Sequence, residues 1–370
     1  MIRVLHILGS AHFGGIARVV HDLVNAQKDI SNLQVGVLFS NARGEFLDQF
    51  IRLNVPVFSL GLNSGYDFSP IKAKRAYHIF SEYDLLHFHS FLPLLSWIAE
   101  KSRRQIIYSA HGNFGFRIKM TLSERIKASL QKSFLNNSIS YISFNSHFTK
   151  GFAKEKYAFH SVPHDVIYNG IALPRDGTCC RGNSFELPSE LENKFIVGTS
   201  SRFTSVKRLD RLIRAFADFQ IGKENTYLLL VGDGILRTDL EKQVVNLGVE
   251  RKTIFSGFQE NVRSWQDAMD VCVIPSKHEA FGLVALETLS LGKPTLVFQD
   301  GGGLTEIIGG VNKSDIVCDE NHLVERLDHY YFSPKDEQSI NNRKEYVKQF
   351  TIDKMAASFW DVYRKTLRVE

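Results

Sequence analysis

Short apolar runs rich in β-branched residues alternate with helix-periodic segments along nearly the whole chain, a pattern that points to parallel α/β architecture. In the first half the strand-like runs fall at residues 4–8, 34–39, 57–60, 85–89, 106–110, 141–145 and 165–168. Helical patterns fill the gaps, for example 16–27 and 123–135. The alternation stops across 174–189, a stretch rich in Gly, Pro, Cys and polar residues that shows no period and reads as a linker. It resumes with runs at 195–199, 227–231, 253–256, 271–275, 294–298 and 315–318, separated by helical patterns such as 209–219, 236–247 and 282–291. Met355, Phe359, Trp360, Tyr363 and Leu367 then recur at helical spacing near the end. A chain of 370 residues exceeds one ordinary core. The expected organisation is an N-terminal domain over 1–173, the linker, a C-terminal domain over 190–350, and a final helix over 351–370 packing back toward the N-terminal domain. Two such domains facing a cleft are the expected shape, and clefts of that kind hold ligands.

Composition narrows the class. No apolar run approaches the roughly 18 residues that span a bilayer. The opening residues contain His6 and run into a glycine turn with no small-residue cleavage site, so a buried first strand is expected rather than a signal peptide. Cys179 and Cys180 are adjacent while Cys272 and Cys318 stand alone, which is neither a disulfide framework nor a zinc spacing and suits a reducing cytoplasm. The net charge of +5 is uneven: residues 1–170 hold 19 Lys/Arg against 11 Asp/Glu, and the remainder 26 against 29. That asymmetry fits an anionic partner for the first half, or simply solvated helices. No nucleic-acid-binding motif accompanies it, and no nucleic-acid partner is expected.

Several strand-end turns carry the chemistry. The segment from Pro275 to Glu287 follows a buried run, where open α/β sheets place ligands. Amides of Phe281, Gly282 and Leu283 at a helix start would face an anion or a polar sugar, and the Glu287 carboxylate would accept hydrogen bonds from a diol. The same residues also read as ordinary structure, with Ser276 and Glu279 forming a capping box and Gly282 serving only packing. Arg202 and Lys207 flank the turn after the first strand of the second half, two cations suited to a diphosphate or to plain surface solvation. Gly14 and Gly15 in the first turn permit close backbone approach, but the pattern is not G-x-G-x-x-G, so a nicotinamide site is not supported. Gly232-Asp-Gly234 marks another tight turn. His111 ends a strand and is placed for a hydroxyl contact or proton transfer, whereas His87 and His89 alternate on one strand face and suit the core. Together the histidines suggest a metal, but no H-E-x-x-H or paired carboxylates accompany them, and D-x-D is absent, so no metal is expected.

In order, these pieces resemble the family-4 retaining glycosyltransferases of the GT-B fold. The resemblance runs through Gly14-Gly15, His111-Gly112, Asn169-Gly170-Ile171, Arg202, Lys207, Gly232-Asp-Gly234, Gly257-Phe258, Glu279-x7-Glu287 and Gly302 to Glu306. It implies an α/β protein with two Rossmann-like domains around a cleft and a hexosyltransferase activity. Arg202 and Lys207 would neutralise the departing diphosphate, and Glu287 would hold the ribose. Glu279, with the amides of Phe281, Gly282 and Leu283, would hold the transferred sugar. His111 would touch that sugar, Gly14 and Gly15 would come close to phosphates or acceptor, and Gly257 would line the donor site. It also implies no cofactor and no metal. Ser201-Arg202-Phe203 stands where Gly-Arg-Leu is usual and Ala280 where Gly or Ser is, which leaves the donor undefined.

The implied reaction moves a sugar from a nucleotide-sugar, UDP-hexose or UDP-N-acetylhexosamine favoured by family frequency, to a glycan or lipid-diphosphate-linked acceptor in surface polysaccharide, lipopolysaccharide or capsule biosynthesis. Alternatives are a sugar-nucleotide epimerase, a soluble-glycoside synthase, or a non-catalytic nucleotide-sugar-binding module. Between Lys101 and Lys132 lie eight Lys/Arg and one acidic residue, Glu124, interleaved with apolar side chains. Arg117, Lys119, Arg125 and Lys127 are therefore expected either to meet an anionic membrane and its acceptor or to decorate a helix that packs on its own domain. The expected location is cytoplasmic, with peripheral contact on the inner face of the cell membrane.

Overall fold

A computed structural model describes residues 1–12, 14–63, 67, 69–112, 121–157, 162–174, 186–333 and 335–369. Arg117, Lys119, Cys179, Cys180 and most of the proposed linker lie outside the described residues. The chain divides into two units: Met1–Gly170 with Phe350–Glu370, and Ile171–Gln349.

Unit 1 holds β1 (Ile2–Leu8), β2 (Leu33–Phe39), β3 (Val57–Ser59), β4 (Leu85–Phe88), β5 (Gln105–Ala110), β6 (Tyr141–Phe144) and β7 (His164–Val166). They form one parallel sheet in the order β3-β2-β1-β4-β5-β6-β7. Unit 2 holds β8 (Phe195–Ser200), β9 (Thr226–Val231), β10 (Thr253–Gly257), β11 (Val271–Ile274), β12 (Thr295–Phe298) and β13 (Ile316–Val317). Their order is β10-β9-β8-β11-β12-β13, again parallel throughout. Both units are thus doubly wound, and each central strand is an apolar run because helices cover both faces. In β11 every residue is buried, and in β1 only Arg3 is exposed.

Helical spacing sets the cores. Helix Leu209–Phe219 buries Leu209, Leu212, Ile213, Phe216 and Phe219. Each fully buried Leu, Ile or Phe contributes roughly 1.5–3 kcal/mol. Helix Ile352–Leu367 opens on a Thr351 side-chain cap to the Lys354 amide and buries Met355, Phe359 and Tyr363. It packs against helix Gly15–Gln27 inside unit 1. Gly170 marks the crossing: a Cβ there would lie 2.5 Å from the Thr351 carbonyl carbon. No helix is long and apolar enough to cross a membrane among the described residues.

Candidate functional site

In unit 2 the strand order reverses between β8 and β11, and the crevice at the carboxyl ends of such a pair is where open α/β sheets bind ligands. The chain leaves β8 through Ser201, whose amide bonds the Val231 carbonyl, and Phe203, whose amide bonds the Asp233 carbonyl at 2.8 Å. Phe203 is fully buried and pins the turn. Arg202 between them is exposed, and its guanidinium has no partner among the described residues. A 3-10 turn, Ser205–Lys207, and Arg208 at φ 48° then lead into the helix that starts at Leu209.

The segment after β11 is strapped to its neighbours by backbone bonds. Lys277 N–H donates to the Val206 carbonyl at 2.9 Å, His278 N–H to Asp300 at 2.8 Å, and Glu279 N–H to Gly301 at 3.0 Å. Gly303 N–H returns a bond to the Glu279 carbonyl at 2.8 Å. This strapping brings Lys207 Nζ to 2.6 Å from Glu279 Oε2, with both side chains partly exposed. The capping-box reading of Ser276 and Glu279 does not hold. The helix begins only at Leu283, with Gly282 as N-cap and no side-chain cap, and the Glu279 carboxylate is taken by Lys207. Thr199, Ser201 and Ser276 keep buried hydroxyl oxygens without a partner among the described residues, all at the carboxyl ends of β8 and β11. Unsatisfied buried polar atoms are rare, and three of those among the described residues lie at this strand switch.

Gly282 stands at φ 117°, and a Cβ there would collide with the Leu304 side chain, so the fold as well as any ligand requires glycine. Its amide has no acceptor among the described residues, and that of Leu283 opens the helix without an intrahelical one. Glu287 lies on the same helix and is buried, with Oε2 accepting from Gln266 Nε2 at 3.0 Å. Gln266 also donates to Ser200 Oγ at 2.9 Å, tying the Glu287 carboxylate to the end of β8. Gly257, at φ 71°, accepts from the Gly232 amide at 2.9 Å at the far side of the same sheet edge. A cavity of about 380 Å³ lies at the opposite edge, among Lys194, Asp267 and Lys293, away from these groups.

Three braces hold this segment, and only Gly303, within the Gly302 to Glu306 run, has a signal in the sequence. Gln266 is one. Arg211 is another: buried, it bonds Asp300 at 2.9 Å and lies 3.5 Å over the Phe298 ring, fixing the chain after β12. Gly303 is the third, since a Cβ there would lie 2.8 Å from the Ala280 carbonyl carbon and 3.0 Å from Phe281 Cα. Backbone faces backbone, so nothing gives. Gly303→Ala is expected to cost about 2–3 kcal/mol and lower the thermal midpoint of unit 2 by roughly 5–10 °C, which scanning calorimetry reads.

In unit 1 the order reverses between β1 and β4. Gly14 has extended backbone, and a Cβ on Gly15 would meet open space among the described residues, so packing does not demand glycine at 15. His111 follows β5 and is half-buried. Its Nε2 lies 2.8 Å from His89 Nδ1, and His89 Nε2 lies 2.9 Å from His6 Nδ1. Burial pushes the His111 and His6 imidazoles down to about 4, and His87 and His89 well below the ordinary histidine range. His6, His87 and His89 bring ligand atoms within 4.8 Å of one another, a grouping that a metal ion can use. Every one of their ring nitrogens, however, has a hydrogen-bond partner: His6 on Gln27 and His89, His87 on Tyr363 and Ser109, His89 on His6 and His111.

Arg125 and Lys127 are exposed on helix Leu122–Asn137. Leu122, Ile126 and Leu130 on that helix are 75%, 51% and 47% exposed, so these three side chains are not covered by the domain. The sequence-expected neighbours Arg117 and Lys119 lie outside the described residues.

Comparison with known proteins supplies the family. The model of glycosyl transferases group 1 matches residues 183–346, and that of glycosyltransferase family 4 matches residues 13–175. The chain is 26% identical to N-acetyl-alpha-D-glucosaminyl L-malate synthase of Bacillus anthracis, over 77% of this chain and 75% of that protein. It is 40% identical to the lipopolysaccharide core biosynthesis glycosyltransferase LpsD of Rhizobium meliloti, over 29% of this chain and 30% of that one. The structure of Anabaena Alr3699/HepE in complex with UDP and glucose superposes with a TM-score of 0.79 at 19% identity, covering 99% of this chain and 100% of that one.

Proposed function

This chain is a glycosyltransferase of family 4, its second half a group 1 glycosyl transferase module, and from that premise we propose a retaining, metal-independent enzyme that takes its sugar from a nucleotide-sugar. The observation that carries the proposal is the Lys207–Glu279 pair at the β8/β11 switch, beside three unpartnered buried hydroxyls. In this reading the donor diphosphate lies against Arg202 and Lys207, and the amides of Gly282 and Leu283 face the sugar or phosphate. Glu287, held by Gln266, accepts the ribose diol. Glu279 orients Lys207 and the transferred sugar. The C1–O bond breaks with its electron pair passing to the β-phosphate, where the two cations stabilise the charge. The acceptor oxygen bonds C1 on the same face, and its proton leaves to the departing phosphate oxygen. In the family's pattern His111, neutral near pH 7, would touch the sugar, and Gly14, Gly15 and Gly257 would allow close approach.

A UDP-hexose or UDP-N-acetylhexosamine donor is favoured. The structural neighbour holds UDP and glucose, and the Bacillus anthracis relative is named for N-acetylglucosaminyl transfer. The favoured acceptor is a glycan or lipid-diphosphate-linked saccharide of a surface polysaccharide, as the lipopolysaccharide core relative suggests. The name of the Bacillus anthracis relative supports a second reading, transfer to a small soluble acid. A thermal-shift screen of UDP-, GDP- and ADP-sugars selects the donor, since binding raises apparent stability by mass action. Product NMR then reads the anomer and EDTA tests the metal. An inverted anomer, or activity abolished by EDTA and restored by a divalent cation, contradicts the proposal. Sugar change without acceptor indicates an epimerase, and binding without turnover a silent module.

Glu287→Gln keeps an oxygen for Gln266 and so keeps the fold, but removes the charge that strengthens the diol bonds. Donor KM is expected to rise about 10–100-fold with kcat changed less, one to two charged hydrogen bonds' worth. An unaltered KM removes Glu287 from the donor site.

Helix Leu122–Asn137 is proposed to lie on an anionic membrane surface. Leu122, Ile126 and Leu130 would enter the interface, and Arg125 and Lys127 would meet phosphates. In flotation with vesicles containing anionic lipid, Arg125→Gln with Lys127→Gln is expected to lose most of the bound fraction; unchanged flotation sinks this part of the proposal.

A further inference from the structure

The buried histidines of unit 1 form a hydrogen-bond chain whose direction a single amide sets. Gln27 Oε1 lies 2.9 Å from His6 Nε2, and Gln27 Nε2 donates to the Tyr363 hydroxyl at 3.2 Å. An amide oxygen only accepts, so His6 carries its proton on Nε2. Its Nδ1 is therefore bare and accepts from His89 Nε2 at 2.9 Å. His89, protonated on Nε2, in turn offers a bare Nδ1 to His111 Nε2 at 2.8 Å. In the other arm the Tyr363 hydroxyl accepts from Gln27 and lies 2.8 Å from His87 Nδ1, and His87 Nε2 lies 2.7 Å from Ser109 Oγ; hydroxyls donate or accept, so this arm follows either tautomer of His87. Ser109 and Ser143 close that arm at 2.6 Å. Gln27, His6, His87 and Tyr363 are fully buried and His89 nearly so. All six ring nitrogens of His6, His87 and His89 are used, and a reversal at His6 or His89 would face donor against donor unless Gln27 and His111 reversed with it.

We propose that Gln27 is a positioning residue for His111: through His6 and His89 it holds the His111 imidazole as the Nε2–H tautomer, leaving Nδ1 as a hydrogen-bond acceptor for a substrate hydroxyl. The final clause rests on the reading that His111 contacts substrate; the tautomer itself does not. The low proton affinity that burial gives these rings keeps the chain neutral, so the amide rather than a charge sets its direction. A histidine free to choose populates both tautomers, and the wrong one presents N–H where a lone pair is needed. The C-terminal helix, through Tyr363, is thereby part of the machinery that orders His111.

The test is ¹⁵N NMR of histidine-labelled protein near pH 7, with His111→Gln assigning the resonance. The wild type is expected to show His111 protonated on Nε2 and bare on Nδ1. Gln27→Met, close in shape but without the amide, is expected to mix the tautomers and lower kcat about tenfold with donor KM little changed, the worth of one hydrogen bond. Gln27→Glu can accept from His6 as the amide oxygen does and is expected to restore the Nε2–H form and most of the turnover. His111 protonated on Nδ1 in the wild type, an unmoved tautomer in folded Gln27→Met, or stoichiometric metal in the purified protein each overturns the relay. If Gln27→Met does not fold, the wild-type and Gln27→Glu spectra still decide. A shifted tautomer with unchanged turnover upholds the relay and removes His111 from the substrate contact.

Discussion

Lys207→Ala is expected to lower kcat about 10²–10³-fold, the loss typical of removing one preorganised stabiliser of developing charge. Lys207 is held by Glu279 at 2.6 Å, which fixes where its ammonium stands. The same substitution should barely move the unfolding midpoint, because a partly exposed ion pair contributes little to stability. Steady-state kinetics beside a thermal melt separates the two effects. Turnover within tenfold of wild type would remove Lys207 from the chemistry, and a collapsed melt would make its role structural. Lys207→Arg keeps the charge but not the compact geometry and should fall between.

Acidification is expected to unfold unit 1 well above the range where carboxylates titrate. His6 and His111 are lowered from 6.5 to about 4 by burial, and burial holds His87 and His89 well below 6.5. Between pH 6.5 and 4 the unfolded chain binds protons that the folded unit refuses, so stability falls as pH falls and is fully present only above about 6.5. For His6 and His111 this is roughly 1.4 kcal/mol each per pH unit in that window, about 2–3 kcal/mol together at pH 5.5, and His87 and His89 act in the same direction. That is a large part of the stability of an ordinary domain. The lowered Asp84 of unit 1 acts the same way only below about 4, outside this window. Trp360 reports unit 1 once Trp97 and Trp265 are replaced by Phe, and its urea midpoint should drop sharply between pH 7.5 and 5.5. Equal midpoints would show that the four rings do not stay neutral in the folded unit.

How much of this was legible beforehand differs from element to element. Helix Leu209–Phe219 and the central strands stood out because burial on both faces demands unbroken β-branched runs, and a buried stripe demands helical spacing. Strand ends were less distinct: β4 stops at Phe88, although His89 still donates its amide to Ile7. The Lys207–Glu279 contact joins residues 72 apart, and only the sheet order that places β8 beside β11 creates it. Spacing therefore suggested both residues but not their pairing, and it suggested a capping box that the late helix start at Leu283 rules out. Gln266 and Arg211 carried no signal, because a lone polar residue in a helix reads as solvated until its neighbours are known. The histidine chain shows the same limit. His87 and His89 read as core and are core, but Gln27 and Tyr363 lie 336 residues apart and looked like ordinary helix positions. Only the return of the final helix to unit 1 makes them partners.

The central claim is that a nucleotide-sugar diphosphate seats on the β8/β11 switch of unit 2. Calorimetric titration of UDP, GDP and ADP into the wild type and into the Arg202→Ala, Lys207→Ala double variant tests it most directly. At least one nucleotide should bind the wild type, and its affinity should fall at least about tenfold in the folded double variant, as loss of charge-assisted bonds requires. Binding of equal strength to both proteins, or none to the wild type, would contradict it.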